Sequence, residues 1–168
     1  MTRAGGEPPT PPRSISEEHD LSRFSCGQPA LDDWLRLHAL NNEGLSSRTY
    51  VVCSGHSVVG YYALATGAEQ RAAMPRKLRH GAPDPTPVMI IGRLAVDRAC
   101  QGRKLGASLL QDALRRILSA SGIVGCRAVL VHAIDEDVAG FYRKYGFLEF
   151  PTGSRRLFLP VETIRATL

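Results

Sequence analysis

Apolar positions along the chain fall into blocks of helical and of extended spacing. Leu31, Trp34, Leu35 and His38 stand at i, i+3, i+4 and i+7, behind Pro29 and ahead of Asn41, Asn42 and Gly44. Proline suits a first turn and the Asn/Gly run stops a helix, so this pattern predicts a helix over residues 29–40, with His38 on its core or edge face. Residues 48–53 and 57–66 are rich in β-branched and aromatic side chains and flank Ser54, Gly55 and His56, which reads as a hairpin. The run from Val58 to Ala65 is apolar on both faces and belongs inside a covered sheet. A further apolar run starts at Ile90, behind Pro87, and ends at Asp97, as a buried strand does. Leu109, Leu110, Ala113, Leu114, Ile117 and Leu118 then share one helical stripe. After a break at residues 122–125, residues 128–133 form another apolar strand. The helix that follows is signalled at both ends: Asp135 can cap it, Glu136 and Asp137 suit its positive end, Arg143 and Lys144 its negative end, and Gly146 stops it. Val138, Phe141, Tyr142 and Tyr145 share its apolar stripe, and residues 147–150 and 156–159 read as closing strands. The fold class is α/β.

Composition narrows the setting. The 168 residues are 43% hydrophobic and 22% charged, the balance of an ordinary soluble globule. There is no apolar run of membrane-spanning length and no signal-peptide pattern, so a cytoplasmic protein with no membrane partner is expected. Residues 1–12 are rich in Pro and Gly without apolar periodicity, which predicts a disordered tail over 1–13 and a single domain over 14–168. Cys26, Cys53, Cys100 and Cys126 are scattered without Cys-x-x-Cys spacing, so reduced thiols and no metal site are expected. The formal net charge of +5 favours a polyanionic partner such as nucleic acid without naming one. Residues 67–87 carry Arg71, Arg76, Lys77 and Arg79 against Glu69, then Pro83, Pro85 and Pro87. They form either a solvated loop with a short helix at 75–80, or a basic lip over a substrate cleft that meets phosphates.

The chemistry concentrates between the strand ending at Asp97 and the helix that carries Leu109. Arg98, Arg103 and Lys104 accompany Gly102 and Gly106 there, and a strand, a basic glycine turn and a helix N-terminus together cradle an anion. The spacing matches neither a P-loop nor a dinucleotide fingerprint. A bare strand–helix turn without ligand is the alternative from this stretch alone. The stretch resembles the acetyl-coenzyme A motif of the GNAT acetyltransferases, in which Gln or Arg is followed after two residues by Gly, one residue, then Gly or Ala. Gln101, Lys104 and Gly106 stand at the three marked positions. Lys104 thus replaces the first glycine, although lysine tolerates positive φ poorly; its ammonium can itself reach a phosphate. Phe141, Tyr142, Gly146 and Phe147 likewise resemble the helix and strand that close the acetyl-CoA site in that family.

The resemblance extends to one subfamily, the TacT-like GNAT toxins of type II toxin–antitoxin modules. It is carried by Phe24-Ser25-Cys26-Gly27, Leu31-Asp32-Asp33-Trp34-Leu35, Arg48-Thr49-Tyr50-Val51-Val52, Val59-Gly60-Tyr61-Tyr62-Ala63-Leu64, Gly92-Arg93-Leu94-Ala95-Val96-Asp97 and Leu130-Val131-His132-Ala133. It implies a GNAT fold, with a mixed, mostly antiparallel twisted sheet flanked by helices and central strands that splay to bind acetyl-CoA. It further implies acetylation of the amino group of aminoacyl-tRNA, which blocks translation, a ribbon–helix–helix antitoxin and a homodimer. An α-amino group with a pKa of about 7.7–8.0 needs little general-base help, and the expelled thiolate needs a proton. Tyr142 is therefore assigned as general acid. Leu94, Ala95 and Val96 are assigned as backbone contacts to the coenzyme. Gln101, Gly102, Arg103, Lys104, Leu105, Gly106 and Ala107 are the pyrophosphate cradle, with Asp135 also at the coenzyme. Arg71, Arg76, Lys77, Arg79, Arg93, Arg143 and Lys144 are the candidate tRNA contacts. A GNAT enzyme acting on a protein or small-molecule amine, and a non-catalytic CoA-binding module, are the competing readings.

Overall fold

A computed structural model describes residues 7–151 and 153–168 of the chain. In chain order the elements are β1 (Arg13–Ser14), α1 (Pro29–Leu37), α2 (Ala39–Asn42), β2 (Arg48–Ser54), β3 (Ser57–Glu69), α3 (Arg76–Arg79), β4 (Thr86–Val96), α4 (Leu105–Ser121), β5 (Ala128–His132), α5 (Glu136–Lys144), β6 (Leu148–Glu149), β7 (Arg156–Pro160) and α6 (Val161–Thr167). The seven strands form one sheet in the order β1-β2-β3-β4-β5-β7-β6. Two compact units divide the chain: residues up to Leu64 with Arg93–Ala113, and Ala65–Gly92 with Leu114–Leu168. β3, β4 and α4 each contribute to both.

In the first unit, β2 and β3 form the expected hairpin, closing at Ser54↔Ser57 over a turn in which Gly55 takes φ +65°. β1 extends it by Arg13↔Val51 and Ser14↔Tyr50. Ile15, Phe24, Leu35, Ala39, Val51 and Tyr61 fill the core, with Phe24 edge-on to Tyr61 at 5.5 Å. The helix expected over 29–40 breaks at His38, whose φ of −126° ends α1 before α2 begins. The break rotates the chain, so His38 is exposed and Ala39 takes the buried place. Met1 to Gly6 lie outside the described residues. Residues 7–12, expected to belong to a disordered tail, are instead tied to β2. The Thr10 amide donates to Cys53 O at 2.8 Å, the Cys53 amide to Thr10 Oγ1 at 3.1 Å, and Ser54 Oγ to Glu7 O at 2.6 Å. Thr10 can do this because, unlike its proline neighbours, it brings both a donor and an acceptor to an open strand edge.

The second unit is built on β5. Its run Ala128-Val129-Leu130-Val131 is wholly buried, and it pairs with β7 through five antiparallel positions, from Ala128↔Pro160 to His132↔Arg156. With β4 it forms a parallel ladder, Val88↔Ala128 to Ile90↔Leu130; a parallel pair needs a long crossover, which α4 supplies. β3 runs on to Glu69 and β4 starts at Thr86, so both strands are longer than their apolar runs suggested. Between them Met74 and Leu78 sink into a core with Val88, Leu130, Phe150 and Phe158. α5 is capped as expected, Asp135 Oδ1 accepting the Val138 amide at 2.9 Å, and Ala139 and Tyr142 are its buried positions. Tyr145 leaves the stripe because it is already the C-cap, and it is exposed. α6 was not anticipated: in seven residues only Val161 and Ile164 are buried, too few for a readable period.

Two predictions follow from this packing. A Cβ at Gly60 would meet Val52 Cγ2 at 2.9 Å, Leu109 Cδ1 at 3.1 Å and the Ala95 carbonyl at 3.5 Å. Valine is stiff at χ1, so Gly60→Ala should cost about 1–3 kcal/mol in urea unfolding. At Gly67 the clash is with the tip of Ile90, at 2.7 Å, which can rotate away, and Gly67→Ala should cost less. Tyr61 donates its hydroxyl to Leu31 O at 2.7 Å, and burial holds that hydroxyl well above the ordinary tyrosine range. The unfolded chain ionises this tyrosine near pH 10 whereas the folded one does not, so its contribution is complete below about pH 10 and drains away above it. Urea midpoints should fall as the pH rises above about 10, and less steeply in Tyr61→Phe.

Candidate coenzyme-binding and catalytic residues

The turn between β4 and α4 is held by a buried carboxylate. Asp97 is 4% exposed; its Oδ1 accepts the Ala99 amide at 2.9 Å and its Oδ2 the Ser25 amide at 3.1 Å. The Arg98 amide returns to Ser25 O at 2.8 Å. Gln101 turns inward, its Nε2 donating to Cys26 O at 3.0 Å and Val96 O at 2.9 Å. Gly102 and Lys104 both take positive φ, +82° and +61°. Lys104 thus adopts the conformation for which the motif uses glycine, at a cost of roughly 1–2 kcal/mol.

α4 starts at Leu105, and the first-turn amides of a helix have no acceptor within it. Leu105, Gly106 and Ala107 supply those amides, and the exposed side chains of Arg103 and Lys104 flank them. Oriented N–H groups, the helix dipole and two cations suit a pyrophosphate. Beside this turn lies a cavity of about 440 Å³, walled by residues 9–12 on one side and by Arg103, Leu105 and Leu109 on the other. In the strand ahead, Ala95 is buried while Leu94 and Val96 are half-buried. Arg93 stacks its guanidinium 4.2 Å from the centre of Trp34, whose ring stacks in turn on Tyr61 at 6.1 Å.

In the second unit the β4–β5 ladder stops at Ile90↔Leu130, while β5 continues to pair with β7 through Val131 and His132. β4 and β5 thus part after three pairs. Tyr142 on α5 is 5% exposed, its ring against Phe141 and Phe147 at 5.2 Å each. Burial alone pushes its hydroxyl well above the ordinary range. The carboxylate of Asp135 is engaged as the α5 cap. Arg143 is paired with both Glu136 and Glu149, and Lys144 lies 5.7 Å from the Tyr145 ring. Arg71, Arg76, Lys77 and Arg79 are exposed, the last three on α3, with the Arg71 amide donating to Asp84 Oδ1 at 3.1 Å. The sequence reading missed Asp97 and Asp32 as clamps. Asp32 Oδ1 accepts the Cys26 amide at 2.9 Å; the signals were an aspartate at the end of an apolar strand and one in the first turn of a helix. Among the described residues no group of three His, Cys, Asp or Glu side chains could hold a metal ion.

Comparison with known proteins places this geometry. The acetyltransferase (GNAT) domain family matches residues 46–149. The tRNA-acetylating toxin of Mycobacterium tuberculosis is 44% identical over 158 residues, covering 94% of this chain and 95% of that protein. Among solved structures, AtaT complexed with acetyl-methionyl-tRNAfMet superposes with a TM-score of 0.87 at 31% identity, over 95% of this chain and 98% of that one. A tyrosine-to-phenylalanine mutant of AtaT, bound to the C-terminus of the antitoxin AtaR and acetyl-CoA, gives 0.82 at 30% identity, over 95% and 97%. With the domain match spanning well over half its length and a relative this similar from end to end, the chain belongs to the GNAT acetyltransferases.

Proposed function

We propose that this chain is an acetyl-CoA-dependent N-acetyltransferase toxin that acetylates the amino group of aminoacyl-tRNA and so blocks translation. Its similarity to the M. tuberculosis toxin supports the acceptor, and the bound tRNA and acetyl-CoA in the AtaT structures support both substrates. The observation within this chain that carries the reading is the β4–α4 turn, where Asp97 and Gln101 fix a loop whose amides and cations suit a pyrophosphate. A ribbon–helix–helix antitoxin, a homodimer and a cytoplasmic location complete the proposal. AtaT bound to the C-terminus of AtaR supports an antitoxin partner, and no described helix is long and apolar enough to cross a membrane.

In this reaction the neutral α-amine attacks the thioester carbon, the C–S bond breaks, and the amine proton goes to solvent. Esterification of the amino acid lowers its α-amine below the about 7.7–8.0 of a free one, so a usable fraction is neutral near pH 7 and the chain need not supply a strong base. Residues 94–96 supply backbone N–H groups to polarise the carbonyl, and residues 101–107 hold the pyrophosphate. Tyr142 supplies the proton for the leaving thiolate. Because burial keeps that proton in place, the hydroxyl is present as a donor at every physiological pH. A thiolate released beside it meets the same desolvation, which lifts its proton affinity along with that of the phenol.

The test is labelled acetyl-CoA offered with total charged tRNA, uncharged tRNA and free amines. Label should appear only in charged tRNA, on the amino acid; label moving to protein or to a small amine instead would discard this acceptor. Tyr142→Phe should lower transfer by about 10²–10⁴-fold while acetyl-CoA still binds, as equilibrium dialysis would show. At Lys104 a glycine relieves the left-handed backbone but adds a comparable entropy to the unfolded chain, so Lys104→Gly should leave the unfolding free energy within about 1 kcal/mol. Its acetyl-CoA affinity should drop by several-fold, reporting the lost ammonium; unchanged affinity would confine Lys104 to a conformational role.

A further inference from the structure

The second unit holds another concave feature, distant in sequence from the β4–α4 turn. A cavity of about 470 Å³ is lined by Lys77, Leu78 and His80 at α3, by Arg127 just ahead of β5, and by Glu162 and Arg165 on α6. Its size is that of a small-ligand pocket. Three fixed cations share it with one carboxylate, and among the described residues none of Lys77, Arg127 or Arg165 enters an ion pair. Like charges gathered in a hollow focus a positive potential there. Arg127 is also held in place: its Nη2 donates to Gly81 O at 2.7 Å, its amide donates to Pro87 O at 2.9 Å, and its carbonyl accepts the Val161 amide at 3.0 Å. A guanidinium has five N–H donors, so this anchor leaves others for a ligand. Leu78, the buried residue of α3, adds an apolar side chain to the lining.

We propose that this hollow is a phosphodiester-binding groove that takes the tRNA backbone and continues the basic surface of α3 onto Arg127 and α6. Arg76 and Arg79 on the same short helix extend the row of exposed cations beyond the hollow, as a backbone track requires and a pocket for a single anion does not. Arg127 and Arg165 are then positioning residues, contributing affinity irrespective of base sequence. The proposal rests on the tRNA reading for its ligand, yet binding and transfer separate the two.

Fluorescence anisotropy with uncharged tRNA, from about 50 to about 200 mM salt, tests it on the full chain and on Arg165→Glu, Arg165→Gln and Arg127→Gln. Arg165→Glu should weaken binding roughly tenfold and Arg165→Gln less, each with a log–log salt slope shallower by about one. Arg127→Gln guards against an effect peculiar to α6 and should act in the same direction, with thermal midpoints confirming folded variants. Folded variants with wild-type affinity and slope would overturn the groove, as would wild-type protein that binds no tRNA. If the wild-type chain binds tRNA through these residues but acetylates none, the enzyme reading falls and the groove stands. If it acetylates charged tRNA with a KM that Arg165→Glu leaves unmoved, the groove falls and the enzyme stands.

Discussion

The clamp made by Asp97 is the interaction on which the candidate coenzyme site depends. A carboxylate that is 4% exposed is costly to bury unless its oxygens are satisfied, and here each oxygen takes a backbone amide, one from Ala99 within the turn and one from Ser25 far away in sequence. Satisfying the charge therefore fixes two chain segments at once. Gln101 adds a second tie between the same segments through Cys26 O and Val96 O. The loop beyond has no freedom at its root. That is why Lys104 can be held at φ +61°, a conformation lysine would not keep in an unconstrained turn. Strain of this kind persists only where the surroundings over-determine the backbone.

In the second unit the organising constraint is the wholly buried strand β5. Its antiparallel partner β7 follows it to the end, whereas its parallel partner β4 leaves after three pairs. Backbone groups that lose a ladder partner must be satisfied in another way, and a strand pair that separates is a place where a ligand can do so. The α5 cap, in which Asp135 accepts the Val138 amide, starts the helix at the register that buries Tyr142 and leaves Tyr145 outside. A one-residue shift of that cap would rotate the tyrosine by about 100°.

Charge is distributed unevenly between structural and available uses. Arg143 is paired with Glu136 and Glu149, and Arg156 is paired with Glu69, so these guanidinium charges are already neutralised within the chain. Arg93 lies against Trp34. The cations of α3 and of the neighbouring hollow have no such partners among the described residues. Surface ion pairs contribute little to stability, so the distinction matters for partners and hardly at all for folding.

Local chemistry made much of this legible. The hairpin at Gly55, the stripe of α4, the capped helix α5 and the succession of strand, basic turn and helix at residues 90–118 all rest on near-neighbour rules, and each stands where the sequence placed it. The motif residues Gln101, Lys104 and Gly106 marked the candidate coenzyme loop for the same reason. Other features turned on partners far away in sequence. Whether residues 7–12 order depends on the open edge of β2, and whether His38 faces the core depends on where α1 breaks. Gln101 turns inward only because Cys26 O and Val96 O are there to receive it. Arg143 is spent because β6 brings Glu149 to it, and α6 exists because two side chains find a place on the second core. Sequence by itself determined the hairpin, the striped and capped helices and the strand–turn–helix succession, since those follow from periodicity and from residues within a turn of one another. Only the tertiary structure decided which charges are consumed, which loop is braced and which polar groups face outward, because those outcomes depend on burial, and burial is set by segments that the chain brings together from afar.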